Sequence, residues 1–177
     1  MTSAILTRLA QAADIPAIAQ VHLDASKIAY RDILGPALVD GLTLAGRIAL
    51  WERRFAGISL RGRLRVLCAG SQIIGFALCD ASQDAGAESL ACELKSLYLA
   101  PAHWRAGHGV RLIDLVSRDF QRRGFEAMIL WTIRLNVRAR GFYEHIGFHS
   151  DDVTRVTRRV ENGLCLEYEE TRYSRPL

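Results

Sequence analysis

The sequence predicts an α/β protein folded as a single domain over residues 1–177. Three observations predict it. Strand-like and helix-like runs alternate through the second half. A glycine-rich turn separates one strand from the helix after it. A hairpin pattern closes the chain. In order, the chain reads as a strand, two helices, three strands, a helix, a strand, a helix and two strands, an arrangement that 177 residues can bury around one core.

Residues 4–9 alternate weakly and read as the first strand. Asp14 stands as an N-cap, with Pro16 in the first turn, where a missing N–H costs nothing. Ile18, Val21, Ala25 and Ile28 then recur at helical spacing. A second helical region lies between Pro36 and Phe55, its start interrupted by Gly35, Gly41 and Gly46. Residues 64–69 and 72–80 flank the turn signal Gly70-Ser71 and form a hairpin. Residues 81–88 are small and polar, hence a loop, and 90–99 form the next strand, stopped by Pro101. Gly107 and Gly109 introduce a helix with Leu112, Leu115, Val116 and Phe120 on its apolar face. Arg122 and Arg123 favour its C-terminal dipole, and Gly124 is a left-handed stop. Residues 127–132 form a short buried strand, and 136–146 a helix ended by Gly147. The tail pairs 152–160 with 164–172 about Asn162-Gly163, a type I′ turn signal.

Composition excludes several classes. Half the residues are hydrophobic and 24% are charged, as in a soluble globular protein. No apolar run approaches the roughly 18–20 residues that span a bilayer, so no membrane partner is expected. The opening Met1-Thr2-Ser3-Ala4-Ile5-Leu6-Thr7-Arg8 shows no long apolar region and no cleavage pattern, and a cytoplasmic address is expected. Cys68, Cys79, Cys92 and Cys165 stand alone within apolar runs, without ligand spacing. They read as small buried hydrophobes, with no metal expected. The net charge of +4 is scattered (Arg53, Arg54, Arg61, Arg63, Arg65; Arg155, Arg158, Arg159) and lacks interleaved aromatics. That pattern reads as a solvated surface that would also draw a polyanion, and not as a nucleic-acid interface.

The chemistry concentrates between Leu90 and Val110. A strand ends near Leu99-Ala100-Pro101, followed by Trp104-Arg105-Ala106-Gly107-His108-Gly109 and a helix. A glycine-rich turn feeding a helix N-terminus offers free amides and a positive dipole end to an anion. Two glycines alone also describe any tight loop. The dinucleotide fingerprint GxGxxG is absent, since position 112 is leucine, and no GK[ST] phosphate loop occurs.

Trp104-Arg105-Ala106-Gly107-His108-Gly109 resembles the pyrophosphate loop of the GNAT superfamily of N-acetyltransferases, whose pattern is Q/R-x-x-G-x-G/A. Trp104 departs from it and removes a side-chain donor that Arg105 could replace. Asn136-Val137-Arg138-Ala139-Arg140-Gly141-Phe142-Tyr143-Glu144-His145-Ile146-Gly147-Phe148 resembles the family's N-x-x-A-x-x-F-Y-x-x-x-G-F helix. The stretches 7–19 and 29–32 resemble its start. The resemblance covers nearly the whole chain. It implies the GNAT fold, a mixed central sheet of about seven strands with strands four and five splayed, and four helices.

It also implies acetyl-CoA as co-substrate and acetylation of an amine by direct attack on the thioester. The pantetheine arm would pair with the backbone of Leu97, Tyr98 and Leu99, an N–H near Leu99 stabilising the oxyanion. The pyrophosphate would lie on the amides of Arg105, Ala106, Gly107, His108, Gly109 and Val110, beside Trp104. Asn136 would donate to the pantetheine, and Ala139 and Phe142 would pack on it. Tyr143 is implied as the general acid, with core packing as its other reading. Glu93 is the candidate base, with an open-face carboxylate as its other reading and Glu88 with a water chain as fallback. By alternation, Glu93 should share a face with Lys95, Leu97 and Leu99. Tyr30 is the substrate-contact candidate; Trp51 and Phe55 read equally as core or pocket. His22, His103, His108, His145 and His149 receive no role. The acceptor is expected to be a small-molecule amine, with no nucleic acid or membrane partner, and a homodimer is left open. A protein or peptide acetyltransferase and a non-catalytic acyl-CoA-binding domain are the alternatives.

Overall fold

The computed structural model describes residues 4–84, 90–161 and 163–177. Its elements are β1 (Ile5–Leu9), α1 (Ile15–Ala29), α2 (Arg31–Leu34), α3 (Pro36–Asp40), α4 (Leu44–Ala56), β2 (Arg63–Ala69), β3 (Gln72–Ala81), β4 (Ala91–Leu99), α5 (His108–Arg122), β5 (Ala127–Ile133), α6 (Val137–His145), β6 (His149–Glu161) and β7 (Leu164–Pro176). The seven strands form one sheet in the order β1-β2-β3-β4-β5-β7-β6. Every neighbouring pair is antiparallel except β4 and β5, which run parallel.

The helices number six among the described residues, against the four expected. The extra ones are single turns made by breaking the first helical half of the chain. Gly35 takes φ +88 before Pro36, whose ring disfavours a helical predecessor. Thr43 then restarts the chain as α4, its hydroxyl accepting from Gly46 N at 3.2 Å. Asp14 stands at the N-cap of α1, as the sequence predicts, but its side chain makes no cap hydrogen bond there. Its carboxylate instead accepts from Gln11 N and pairs with Arg8 at 2.6 Å, clamping the end of β1 to the turn before α1.

The sheet lies between two helix layers. On one face α1 and α4 supply Ile15, Ile18, Val21 and Trp51, which pack on Val66, Phe76, Leu78 and Tyr98. Ile28, expected on that apolar face, is exposed. On the other face α5 and α6 cover Leu67, Ile74, Cys79, Cys92, Leu94, Met128 and Leu130 with Leu112, Ile113, Val116, Phe120, Phe142 and Tyr143. Cys68, Cys79 and Cys92 are buried as expected, but Cys165 is exposed, because β7 belongs to the terminal hairpin at the sheet's edge. Gly163 of that hairpin's turn has φ +76, while Asn162 lies outside the described residues.

Two irregularities position the site. Parallel pairing of β4 with β5 runs only from Ala91↔Ala127 to Glu93↔Ile129, and beyond it the strands part. In β4, Leu78 pairs with Ser96 but Cys79 with Leu94, so Lys95 is an extra residue in a β-bulge.

Candidate active site

The loop into α5 is built by conformation as much as by composition. Arg105 and Gly107 both take left-handed φ, +59 and +76, turning the chain sharply into the helix. The first helical bond of α5 runs from Arg111 N to Gly107 O at 3.1 Å. The amides of His108, Gly109 and Val110 precede it and remain donors at the positive end of a 15-residue helix. No carboxylate occurs between Pro101 and Val110. The segment therefore suits an anion, and a phosphate-bearing ligand fits it.

Trp104 contributes a donor of its own, turned inward: its indole Nε1 donates to Leu99 O at 2.8 Å, latching the loop to the end of β4. Arg138, in the first turn of α6, lies over the Trp104 ring at 3.9 Å. Phe142, four residues later on the same helix face, meets Gly109 so closely that a Cβ there would lie 3.0 Å from Cζ and 3.6 Å from Leu99 Cδ1. Leu99, Gly109 and Phe142 thus converge from β4, α5 and α6. Asn136 caps α6, its buried Oδ1 accepting from Ala139 N at 3.1 Å. Its amide NH₂ keeps two donors.

Tyr143 follows Phe142 and packs on the same cluster as Leu97 and Leu99. Its ring stands edge-on to Phe142 and Phe148. Burial pushes its hydroxyl well above the usual tyrosine range, and the Tyr98 hydroxyl adds to the shift. The shift makes the hydroxyl a weaker acid than an exposed tyrosine, so a donor role depends on where it stands and not on its acidity.

Glu93 does not share a face with Leu97 and Leu99. The bulge at Lys95 inserts one residue, so Leu94 and Leu97 fall on the α5–α6 side while Glu93, Ser96 and Tyr98 point the other way. A one-residue insertion inverts the alternation beyond it. Burial pushes the Glu93 carboxyl up; Lys95 and Arg155 oppose the shift, and Asp84 and Glu170 add to it. Among the described residues Glu93 has no hydrogen-bond or ion-pair partner.

Glu93 lines a cleft of about 460 Å³ where β4 and β5 part. Leu94 and Lys95 of β4, Arg54, Gly57 and Ile58 at and just after the end of α4, Leu78 and Asp80 from β3, Trp131 from β5, and Arg155, Thr157, Tyr168 and Glu170 from β6 and β7 line it as well. A second cleft, of about 380 Å³, lies at the other end of β4 and β5 and contains neither Glu93 nor Tyr143. Tyr30 is not in the Glu93 cleft. Its hydroxyl meets that of Tyr98 at 3.2 Å, near the end of β4. Trp51 is core: fully buried, it donates to His22 Nδ1 at 3.0 Å. Phe55 packs against the same core.

The residues not anticipated are Arg138 at the loop, and Arg54, Asp80, Trp131, Tyr168 and Glu170 in the cleft. Trp131 carried a signal, since it is half-buried between buried Leu130 and Thr132 on β5 and carries a polar N–H. The others depend on which elements neighbour β4, which spacing does not reveal. Glu88 lies outside the described residues. Among the described residues no helix is long and apolar enough to cross a membrane, and no three His, Cys, Asp or Glu side chains group for a metal ion.

Comparison with known proteins bears on this geometry. Residues 38–148 match the model of the acetyltransferase (GNAT) family. A Mycobacterium tuberculosis protein described as a "probable N-acetyltransferase" is 32% identical over 155 residues, covering 86% of this chain and 84% of its own. The PaiA N-acetyltransferase of Thermoplasma acidophilum, solved with coenzyme A, superposes with a TM-score of 0.73 at 17% identity over 98% of this chain and 99% of its own. YncA of Salmonella typhimurium, solved with its cofactor acetyl-CoA, gives 0.67 at 20% identity over 98% and 94%.

Proposed function

The chain belongs to the GNAT acetyltransferase family, and on that premise we propose that it transfers the acetyl group of acetyl-CoA to the primary amine of a small molecule by direct attack. The observation that carries this is the parting of β4 and β5 beyond Glu93↔Ile129. The opening has the anion-suited loop with α5 and α6 on one side and the Glu93 cleft on the other. A thioester reaching through it from the loop side would present its carbonyl to an amine in the cleft.

Acetyl-CoA, when bound, supplies an activated acetyl group. The amides from Arg105 to Val110 hold its pyrophosphate. The β4 edge that β5 leaves unpaired, at Leu97, Tyr98 and Leu99, hydrogen-bonds the pantetheine arm, with a Leu99-region N–H facing the carbonyl oxygen. Asn136 donates to that arm, and Ala139 and Phe142 pack along it. Tyr143 keeps a proton at its hydroxyl oxygen for the departing sulfur. Glu93 accepts the proton that the ammonium form of the acceptor must lose. Its raised pKa suits a group poised closer to neutrality than a surface carboxylate. Glu93 faces the cleft, and its separation of about 20 Å by strand rise from the Leu99-region N–H makes a water relay the path for the proton. Tyr30, beside Tyr98 and outside this cleft, would contact only an acceptor that extends along β4 beyond it. Residues 1–177 act as one domain in the cytoplasm.

The test is a broad screen of primary amines that records released thiol and the mass of the acetylated product. Acetyl-CoA-dependent acetylation of small amines is expected. Acetylation of protein or peptide amines alone would refute the acceptor class. Acetyl-CoA binding with no transfer to any amine would leave an acyl-CoA-binding domain.

A further inference from the structure

We propose that Arg138 of α6 is a phosphate ligand of the acyl-CoA, supplied from outside the loop in place of the donor that Trp104 turns inward. The proposal rests on the assignment of residues 105–110 to the pyrophosphate and adds a charged residue from the helix that faces them. Trp104 spends its one polar hydrogen inside the protein, on Leu99 O at 2.8 Å. That bond fixes the ring and leaves its face as a platform. The Arg138 guanidinium lies over this face, 3.9 Å from the ring centroid.

A guanidinium stacks through its plane and donates through its edges, so the stack holds Arg138 in place without using its N–H groups. Among the described residues Arg138 makes no hydrogen bond and no ion pair. The other arginines of this stretch are committed. Arg134 pairs with Glu169 at 2.8 Å, and Arg140 donates to the Tyr173 hydroxyl at 2.9 Å and to Arg134 O at 3.2 Å. No carboxylate occurs in residues 101–113 or 127–143. Glu144, the first one after Arg138, accepts from the Tyr173 hydroxyl at 2.7 Å. The charge of Arg138 is therefore left without a counter-charge from the loop or from its own helix turn. Arg105 also carries an uncommitted charge, but it is exposed on a left-handed residue and no ring holds it.

The helix carries Arg138 to the right place. Arg138 and Phe142 are four residues apart and share a face of α6. Phe142 meets Gly109 in the first turn of α5, where a Cβ would lie 3.0 Å from Cζ. Arg138 stands about one turn, roughly 5.4 Å, nearer the start of α6. There it faces the loop segment that leads into the amides of His108, Gly109 and Val110. Those amides meet an anion with partial charges, whereas a phosphoryl group brings a full one. A guanidinium already held beside them supplies the matching charge in a fork that fits phosphate oxygens, at little cost in ordering.

The experiment titrates acetyl-CoA and acetyl-dephospho-CoA, which lacks the 3′-phosphate, into wild type, Arg138→Met and Arg138→Lys at several salt concentrations. A melting curve on each unliganded protein establishes that it is folded. Arg138→Met keeps an apolar stem on Trp104 and removes the charge. Its Kd for acetyl-CoA should rise about tenfold, the worth of a charge-assisted hydrogen bond. Its affinity should also depend less on salt than that of wild type, because one exposed charge contact is gone. Arg138→Lys keeps the charge without the fork and should fall between the two. A loss with both ligands puts Arg138 on the pyrophosphate, and a loss confined to acetyl-CoA puts it on the 3′-phosphate; either supports the proposal. Unchanged affinity in Arg138→Met would overturn it. So would a weakened Arg138→Met protein that keeps the salt dependence of wild type, since the stack on Trp104 would then account for the loss. A wild type that fails to bind acetyl-CoA would fall instead on the assignment of the loop.

Discussion

Gly109 offers a clean perturbation of the loop proposed to hold the cofactor, because the structure separates its steric role from backbone strain. Its φ is not left-handed, so a larger residue faces no conformational penalty there. A Cβ would instead lie 3.0 Å from Phe142 Cζ and 3.4 Å from Cε2. Gly109→Ala therefore asks Phe142 to give by a few tenths of an ångström. Alanine's better helix propensity returns at most about 1 kcal/mol, against overpacking of about 1–3 kcal/mol. The net change should be small, a fall of a few degrees in Tm at about 2–4 °C per kcal/mol for a chain of this size. Gly109→Val has no such relief from one small shift and should lose more. It does not leave the core untouched, since Gly109 is itself buried. Displacing Phe142 moves the α6 face proposed to pack along the pantetheine and narrows the approach to the amides. Acetyl-CoA affinity should fall about tenfold for alanine, equivalent to about 1.4 kcal/mol, and further for valine. Calorimetric titration with acetyl-CoA and a melting curve on each variant separate the two effects. A folded Gly109→Val protein with wild-type affinity would refute the assignment of the loop.

The other expectations concern single groups. Trp104→Phe keeps a ring under Arg138 but leaves Leu99 O without its donor; at about 1 kcal/mol for a half-exposed site, Tm should drop by about 2–4 °C, and an unchanged melting curve would show that the latch contributes nothing. Tyr143→Phe should lower turnover by about a hundred- to ten-thousand-fold with acetyl-CoA affinity kept, whereas full turnover would leave Tyr143 as packing. Glu93→Gln should abolish or shift the acidic limb of the kcat/KM profile, and superimposable profiles would remove Glu93 as base. It should also change stability in a definite sense. Because the folded protein raises the Glu93 pKa, ionising it costs more folded than unfolded. Wild type should match Glu93→Gln below the ordinary glutamate pKa, lose ground as pH rises to the raised value, and trail by a constant margin above it. Equal melting temperatures across that range would show that Glu93 is not desolvated.

The fold was legible wherever chain-local physics decides it. Gly107, Gly124 and Gly147 all hold left-handed φ where a turn or helix stop was expected, and Asn136 caps the helix it introduces. The strand order around β4 and β5 came with the motifs of the loop and of α6. The facing of Glu93 was not legible. Glu93-Leu94-Lys95 alternates like any half-buried strand. Only the cross-strand register, Cys79 opposite Leu94 and Leu78 opposite Ser96, shows that a residue is inserted. The Glu93 cleft was hidden for a related reason. Arg54, Asp80, Trp131 and Glu170 come from four elements brought together by the sheet order, and none carries a spacing signal toward the others. Trp104 reads as a lost donor in the loop pattern, yet its indole N–H is used, toward Leu99 O within the protein.

The most direct test of acetyl transfer is a paired measurement on wild type and Tyr143→Phe: acetyl-CoA affinity by titration, and acetylated product by mass spectrometry with a broad mixture of small primary amines. Wild type should bind acetyl-CoA and form product, and the variant should bind comparably while forming product at least about a hundredfold more slowly. Binding by both proteins with no acetylated amine from either would contradict an acetyltransferase and leave only a protein that holds acyl-CoA.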